Sequence, residues 1–342
     1  MQSKRVAVIG ATGYVGVELT RFLLRHPHAQ VTRLTTSQSQ GVPMRTLLPE
    51  VHASAQHQVV PYNKEDVIQN SDVVFLCLPH TEAMQHAESF INAGKVVIDL
   101  SADFRLKNPA EYPVWYGVEH LAPALLHKSV YGLTEFYRDT VKTASLIANP
   151  GCYPTATLLG LLPLVKKKLI DLNSIVVNAA SGVSGAGKKP SATTHFCEVH
   201  ENYFAYKVGK HQHTPEIEQI LSEAAGSSLK VDFTTHLLPV NRGILATITA
   251  KKTAEATEEK IRAAYEDFYG KSLFVRFRKA GEFPALKDVQ HSNFCDVGVM
   301  LNPRTNTVTV LSAIDNLVKG AAGQAIQNFN VRFGFEEGTA LL

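Results

Sequence analysis

The chain has 342 residues, 45% hydrophobic and 19% charged, which suits a folded protein of two domains and excludes a disordered one. Its formal net charge of +3, from 34 basic and 31 acidic residues, comes without a long basic run. That balance mildly favours anionic small molecules and gives nucleic-acid binding no support. No apolar stretch approaches the roughly 20 residues of a membrane span, so no membrane association is expected. The four cysteines, Cys77, Cys152, Cys197 and Cys295, form no CxxC pair and no zinc-ligand spacing. They read as reduced thiols with no metal, and with no charged-then-apolar leader before the first strand, the expected location is the cytoplasm.

Residues 6–9 are an apolar strand that runs into Gly10-Ala11-Thr12-Gly13-Tyr14-Val15-Gly16. A helix follows with Val15, Leu19, Phe22 and Leu23 on one face, at i, i+4, i+7 and i+8. Glycines between a strand and a helix allow a tight turn and close approach of a pyrophosphate to the helix N-terminus, so this is a dinucleotide loop. Residues 31–34, 73–78 and 96–100 are further strands, too continuously apolar to have a solvent face. Such strands belong to a parallel sheet covered by helices, the doubly wound α/β nucleotide-binding architecture. An NAD enzyme usually carries an acid at the end of the second strand. Here Thr35-Thr36-Ser37-Gln38-Ser39 offers hydroxyls and amides instead, which favours NADP, although Arg33 and Arg45 only flank the loop. After the fourth strand, Asp99-Leu100-Ser101-Ala102-Asp103-Phe104-Arg105 puts a guanidinium fork at the carboxyl edge of the sheet. It could bind phosphate or carboxylate, or make an ordinary salt bridge.

Asn149-Pro150-Gly151-Cys152-Tyr153-Pro154-Thr155 sets one cysteine on a tight turn at the start of a helical pattern. Unpaired backbone N–H groups and the positive end of the helix dipole both favour the thiolate there. A dinucleotide loop and a poised thiol in one chain suggest a reductase that works through a thioester. Cys77 and Cys295 lie in apolar strand patterns and read as core; Cys197 receives no role. Beyond Cys152 the expected strands are 174–180, 230–238, 243–251, 294–301 and 307–311, with few crossover helices, hence a mixed or antiparallel sheet. The small-residue loop 181–187 either wraps phosphate or is a flexible turn. In Lys210-His211-Gln212-His213-Thr214-Pro215-Glu216 an extended backbone would put both histidines on one face, with Thr214 as N-cap and Pro215 first in the helix. His211 is the freer of the two to reach a cysteine. Arg242 and Lys188 are further candidates for anion contacts, solvated charge being the ordinary state of Lys188. An amphipathic helix at about 316–328 closes the pattern and could fold back on the first domain. The expected division is 1–150, 151–315 and 316–342.

GATGYVG at Gly10, LPH at Leu78, DLSADFRL at Asp99, YGLTE at Tyr131, NPGCYPT at Asn149, SGVSGAG at Ser181, HQHTPEI at His211, HLLPVNRGI at His236 and IDNLVKGAAGQAIQN at Ile314 occur in one order over nearly the whole chain. Together they resemble the N-acetyl-gamma-glutamyl-phosphate reductases of arginine biosynthesis. The resemblance implies NADPH-dependent reduction of N-acetyl-glutamyl 5-phosphate to the 5-semialdehyde with loss of phosphate. It also implies an α+β substrate and dimerisation domain like that of glyceraldehyde-3-phosphate dehydrogenase, and a homodimer or homotetramer. Cys152 would be the nucleophile and His211 the acid/base, with Asn149 and the Cys152 N–H stabilising the oxyanion. Arg105 and His213 would bind the acyl phosphate substrate. The nucleotide set would be Gly10, Thr12, Gly13, Tyr14, Val15, Gly16 and Ser37, with Pro79, Ser181, Gly182 and Asn316. Gln212 departs from the family, which often has arginine between the two histidines. The rival readings are an aspartate-semialdehyde dehydrogenase, an NADP-binding sensor without catalysis, and a reductase whose substrate is held on a carrier protein.

Overall fold

Strands without a polar face are stable only between two layers, and the first half of the chain builds that arrangement. The computed structural model describes residues 2–50 and 57–342. It divides into two units, Met1–Pro150 with Ala321–Leu342, and Gly151–Gly320.

In the first unit the strands are β1 (Lys4–Ile9), β2 (Ala29–Thr36), β3 (Val42–Pro43), β4 (Gln58–Pro61), β5 (Val73–Leu76), β6 (Val96–Asp99), β7 (Val130–Tyr131) and β8 (Leu146–Ala148). Among the described residues they form one sheet in the order β3-β4-β2-β1-β5-β6-β8-β7, parallel except for the β3–β4 pair. Without the two-residue strands β3 and β7, the chain order reads 3-2-1-4-5-6, the dinucleotide-binding topology, with its switch point between β1 and β5. Ala7, Ile9, Val74, Leu76 and Val97 pack against Phe90, Phe104, Tyr112 and Leu126 on one side. The Gly323–Phe333 helix belongs to this unit, and its Phe329 ring lies 5.9 Å from that of Phe75. Its buried amides bond inside the unit: Gln324 and Asn328 donate to the Gly132 carbonyl (2.9 and 2.8 Å), and Asn330 accepts from His26 Nε2 (2.8 Å). These bonds offset most of the cost of burying so much amide, although the Gln324 oxygen is left without a partner.

The second unit carries β9 (Val176–Gly182), β10 (Phe204–Tyr206), β11 (Asp232–Leu238), β12 (Ile244–Lys251), β13 (Val275–Phe277), β14 (Cys295–Asn302) and β15 (Thr307–Ile314). Their order is β10-β11-β9-β12-β15-β14-β13, a mixed sheet with parallel pairs at β11–β9 and β13–β14. Burial alternates along β12 and β15, as it must where only one face is covered. The covering helix is Cys152–Lys166, buried continuously from Tyr153 to Val165, with Thr214–Ala225 packed beside it.

Two local expectations change. The histidine segment is a turn rather than an extended strand: the Thr214 N–H donates to the His211 carbonyl (2.9 Å), His213 is the N-cap, and Thr214 and Pro215 are the first two helical residues. At the C-terminus the α-helix starts at Gly323 instead of 316, after a π-helical turn at Val318–Ala322. Asp315 Oδ1 accepts the N–H groups of Leu317 (2.8 Å) and Val318 (3.0 Å), and this holds the chain in a wide turn before α geometry begins.

Candidate active site

In the dinucleotide loop each glycine has its own reason. Gly10 has φ +84°, and a Cβ there would lie 2.3 Å from the Cys77 carbonyl oxygen; a Cβ on Gly16 would lie 2.3 Å from that of Gly10. Gly13 differs, since a Cβ on it would meet only the Gly10 oxygen, at 3.8 Å, so its outer side is open. Gly13 is also the N-cap of the Tyr14–Arg25 helix, which has no side-chain cap. Open space over N-terminal N–H groups fits a pyrophosphate. Thr12 and Thr36 hydroxyls lie 3.5 Å apart, Thr36 Oγ1 accepts from the Gln38 N–H (3.2 Å), and Ser37 is exposed beyond them. Arg33 is engaged elsewhere, forking onto Asp66 at 2.5 and 2.8 Å. Pro79 is exposed past the carboxyl end of β5.

At the end of β6, Arg105 is buried. Its Nε donates to the Asn149 carbonyl (2.8 Å) and its Nη2 to the Leu100 carbonyl (3.0 Å). The fork expected at the sheet edge therefore holds main chain on both sides of the loop. Asp99 and Asp103, also buried, accept from Ser101 N–H and from Thr81 and Met84 N–H respectively. Burial raises both carboxyls above their usual range, and the charge of Asp103 adds to the rise at Asp99. Asn149 is fully buried: its Nδ2 donates to the Ala321 carbonyl (3.1 Å) and its Oδ1 accepts from Asn328 (3.1 Å). One Nδ2 hydrogen and the oxygen of this amide serve as scaffold; the amide carries a second N–H, which is the one the expected oxyanion role would use.

The second unit carries Cys152, His211 and His213. Cys152 is the first residue of its helix, and the Gly151 N-cap has no side-chain cap. Glu216, fully buried in the first turn of the Thr214–Ala225 helix, accepts the Gly151 N–H on Oε1 at 2.8 Å. That contact ties the Cys152 turn to the segment bearing His211. The His211 ring packs 5.3 Å from Tyr153, 5.6 Å from Phe233, 5.7 Å from Tyr206 and 4.8 Å from His213, centroid to centroid. Its Nδ1 accepts the His213 N–H (3.2 Å), so in the neutral ring the proton sits on Nε2. The Tyr153 hydroxyl donates to the His236 carbonyl (3.2 Å), which leaves its oxygen to accept from Tyr206 (3.0 Å). Burial pushes the Tyr206 phenol up to about 12 and Tyr153 higher still, so both remain protonated at neutral pH.

In the same unit, Asn316 ties the 181–187 loop down: its Nδ2 donates to Ser184 Oγ (3.0 Å) and its Oδ1 accepts the Gly243 N–H (2.8 Å). Ser181 is buried with Oγ donating to the Gly182 carbonyl (3.0 Å), and a Cβ on Gly182 would lie 2.7 Å from the Asn241 oxygen. Arg242 faces the fully buried Asp315 carboxylate at 3.5 Å, whereas Lys188 is exposed. Glu216, Tyr206 and Asp315 had no role in the sequence reading. Glu216 lay inside the HQHTPEI motif, and its burial was the signal that only the structure supplies. Among the described residues none of the four cysteines is in a disulfide, no cluster of metal-ligating side chains occurs, and no helix is long and apolar enough to cross a membrane.

Two family profiles match the chain: "Semialdehyde dehydrogenase, NAD binding domain" over residues 5–144 and "Semialdehyde dehydrogenase, dimerisation domain" over residues 152–316. The chain is 49% identical over 337 residues to N-acetyl-gamma-glutamyl-phosphate reductase of Pelotomaculum thermopropionicum, covering 98% of this chain and 97% of the relative. It is 45% identical to the Bacillus subtilis enzyme of the same name, covering 98% of each. The chain belongs to the N-acetyl-gamma-glutamyl-phosphate reductase family. Among solved structures, aspartate semialdehyde dehydrogenase II of Vibrio cholerae aligns with TM-score 0.72 at 19% identity, covering 97% of this chain and 98% of that one. The Candida albicans aspartate semialdehyde dehydrogenase with NADP aligns with TM-score 0.70 at 18% identity, covering 96% and 98%. At that identity the likeness speaks for the fold.

Proposed function

We propose that the protein reduces N-acetyl-L-glutamyl 5-phosphate to N-acetyl-L-glutamate 5-semialdehyde, releasing phosphate, with NADPH as reductant, in arginine biosynthesis. The observation that carries the reading is full-length identity of 45–49% to enzymes of that activity, joined to a cysteine that opens an uncapped helix in the same unit as an enclosed histidine. The nucleotide loop fits a dinucleotide, and the strand end at Thr35–Ser39 has no carboxylate to repel a 2′-phosphate. That absence supports NADP over NAD.

Cys152 Sγ, favoured as thiolate by the helix N-terminus, attacks the acyl carbon, and the tetrahedral intermediate expels inorganic phosphate. The Cys152 backbone N–H and the Asn149 side chain are the assigned oxyanion donors. The thioester left on Cys152 accepts hydride far more readily than a carboxylate does. Bound NADPH supplies that hydride. His211, with its proton on Nε2, gives it to the developing alkoxide and takes it back as the thiohemiacetal collapses to aldehyde and thiolate. We assign Arg105 and His213 to the acyl phosphate substrate, and Gly10, Thr12, Gly13, Tyr14, Val15, Gly16, Ser37, Pro79, Ser181, Gly182 and Asn316 to the nucleotide. In Asn316 and Ser181 the side chains serve chiefly to shape the loop. A homodimer or homotetramer in the cytoplasm completes the reading.

The test is phosphate-dependent reduction of NADP in the reverse direction. Activity with N-acetyl-glutamate semialdehyde, absent with aspartate semialdehyde and lost in Cys152→Ser, is the expected result. Tight nucleotide binding with no turnover of either aldehyde would point to a sensor or to a carrier-bound substrate.

A further inference from the structure

Gly320 lies in the π-helical turn, where its N–H donates to the Asp315 carbonyl five residues back (2.9 Å). The turn is held at its start by one fully buried carboxylate. Asp315 Oδ1 takes the Leu317 and Val318 N–H groups, Oδ2 takes the His291 N–H (2.7 Å), and Arg242 neutralises it from 3.5 Å. Turns of this width are rare and occur disproportionately at functional sites. Gly320 does not have a positive φ, so its backbone is open to any residue, and alanine would suit a helical turn better. What alanine lacks here is space. A Cβ on Gly320 would sit 2.8 Å from Cys152 Cβ and 3.2 Å from Cys152 Cα, with Ile314 Cδ1 at 3.3 Å.

We propose that Gly320 is a positioning residue for the nucleophile: the bare backbone of the 318–322 turn is the seat against which Cys152 rests, and it sets where Sγ stands relative to its helix N-terminus. The inference rests on the reading of Cys152 as nucleophile. A methyl group at 320 falls about 0.6 Å short of the 3.4 Å at which ordinary contact begins, so Cys152 must retreat. Misplacement of a reacting atom by even about 1 Å can cost on the order of 100-fold in rate.

Gly320→Ala is to be made with Cys152 intact, in Cys152→Ser and in Cys152→Gly. We expect a lowered Tm in the first two and a clearly smaller loss in the third, where the Cβ at 2.8 Å is gone and only the contacts at 3.2 and 3.3 Å remain. With Cys152 intact, alkylation by iodoacetamide should slow at least tenfold at pH 7. kcat should fall about 10- to 100-fold while KM for the aldehyde changes less than threefold. An equal Tm loss in all three backgrounds, or an unchanged alkylation rate, would overturn the proposal. Should Gly320→Ala fail to fold with Cys152 intact, recovery of the fold in Cys152→Gly decides for the seat and failure in both decides against it. Failure of the nucleophile reading looks different: Cys152→Ser would then keep its turnover, whatever the melting temperatures.

Discussion

His211 illustrates how one backbone contact decides what a side chain can do. Because the His213 N–H points at Nδ1, the neutral ring carries its proton on Nε2, the tautomer that can donate to an alkoxide. Tyr153, Tyr206 and Phe233 hold the plane of the ring, and the two phenols remain protonated, so they add no charge beside it at neutral pH. Asparagine keeps a donor but cannot shuttle a proton. For His211→Asn we expect kcat to fall about 10²- to 10⁴-fold, the range of positioned acid–base catalysis, with NADPH affinity within about twofold. Single-turnover hydride transfer followed at 340 nm, beside nucleotide titration, checks this; unimpaired hydride transfer would remove the role. Glu216 acts at one remove. Its carboxylate takes the Gly151 N–H, and alanine there would strand a buried donor at a cost of about 1–3 kcal/mol.

Among the elements, the Gly323–Phe333 helix depends on a histidine nearly three hundred residues earlier in the chain. His26 Nδ1 accepts the His28 N–H (3.1 Å), so Nε2–H donates to Asn330 Oδ1, and Phe329 and Phe335 close around the ring. Burial is the first cause that lowers this imidazole's pKa; the Asn330 bond raises it and the facing His28 lowers it further. A histidine with a depressed folded pKa contributes stability above the unfolded value of about 6.5, and that stability is lost as pH falls through the folded value. The first unit should therefore melt progressively lower on acidification below about pH 6.5. His26→Gln should melt lower than wild type at pH 7.5 and show a flatter acid slope; parallel slopes would rule His26 out. None of this could be read from the chain, because a histidine after a helix looks like any surface histidine until Asn330 is seen beside it. The strands that could be read were β1, β2, β5 and β6 and the long strands of the second sheet, whose apolar runs or strict alternation leave one solution. β4 escaped because Gln58 and Pro61 bracket it and only Val59 is fully buried. β10 is three residues long, and β13 carries Arg276, forked onto the buried Asp296. The Cys152 turn, the histidine pair and the glycine loop were legible as motifs. The hold of Glu216 on Gly151, the bonds of the Asn149 amide to Ala321 and Asn328, and the approach of Gly320 to Cys152 are contacts across long sequence separations, which no local pattern records.

For the whole molecule, the second sheet poses a question that the first does not. Its inner face, with Ile248, Val308 and Val310, is covered by the Cys152–Lys166 helix, while Leu245, Thr247, Thr249, Thr309 and Leu311 alternate to the other side and are only half buried. Thr247 pairs with Leu311 and Leu245 with Ala313 across β12 and β15, so these side chains form a band of small and aliphatic groups with little charge. A monomer seldom leaves such a face to water, and the profile matching residues 152–316 is that of a dimerisation domain. A twofold axis through a face of this kind would bring the same residues together from both copies, so a charge placed there is repeated against itself. Thr247→Arg with Leu311→Arg should thus convert the wild-type oligomer to monomer in sedimentation velocity. The change acts on the outer face only, so dinucleotide binding by the first unit should survive it. A double variant that sediments with the wild type would mean that the copies meet elsewhere.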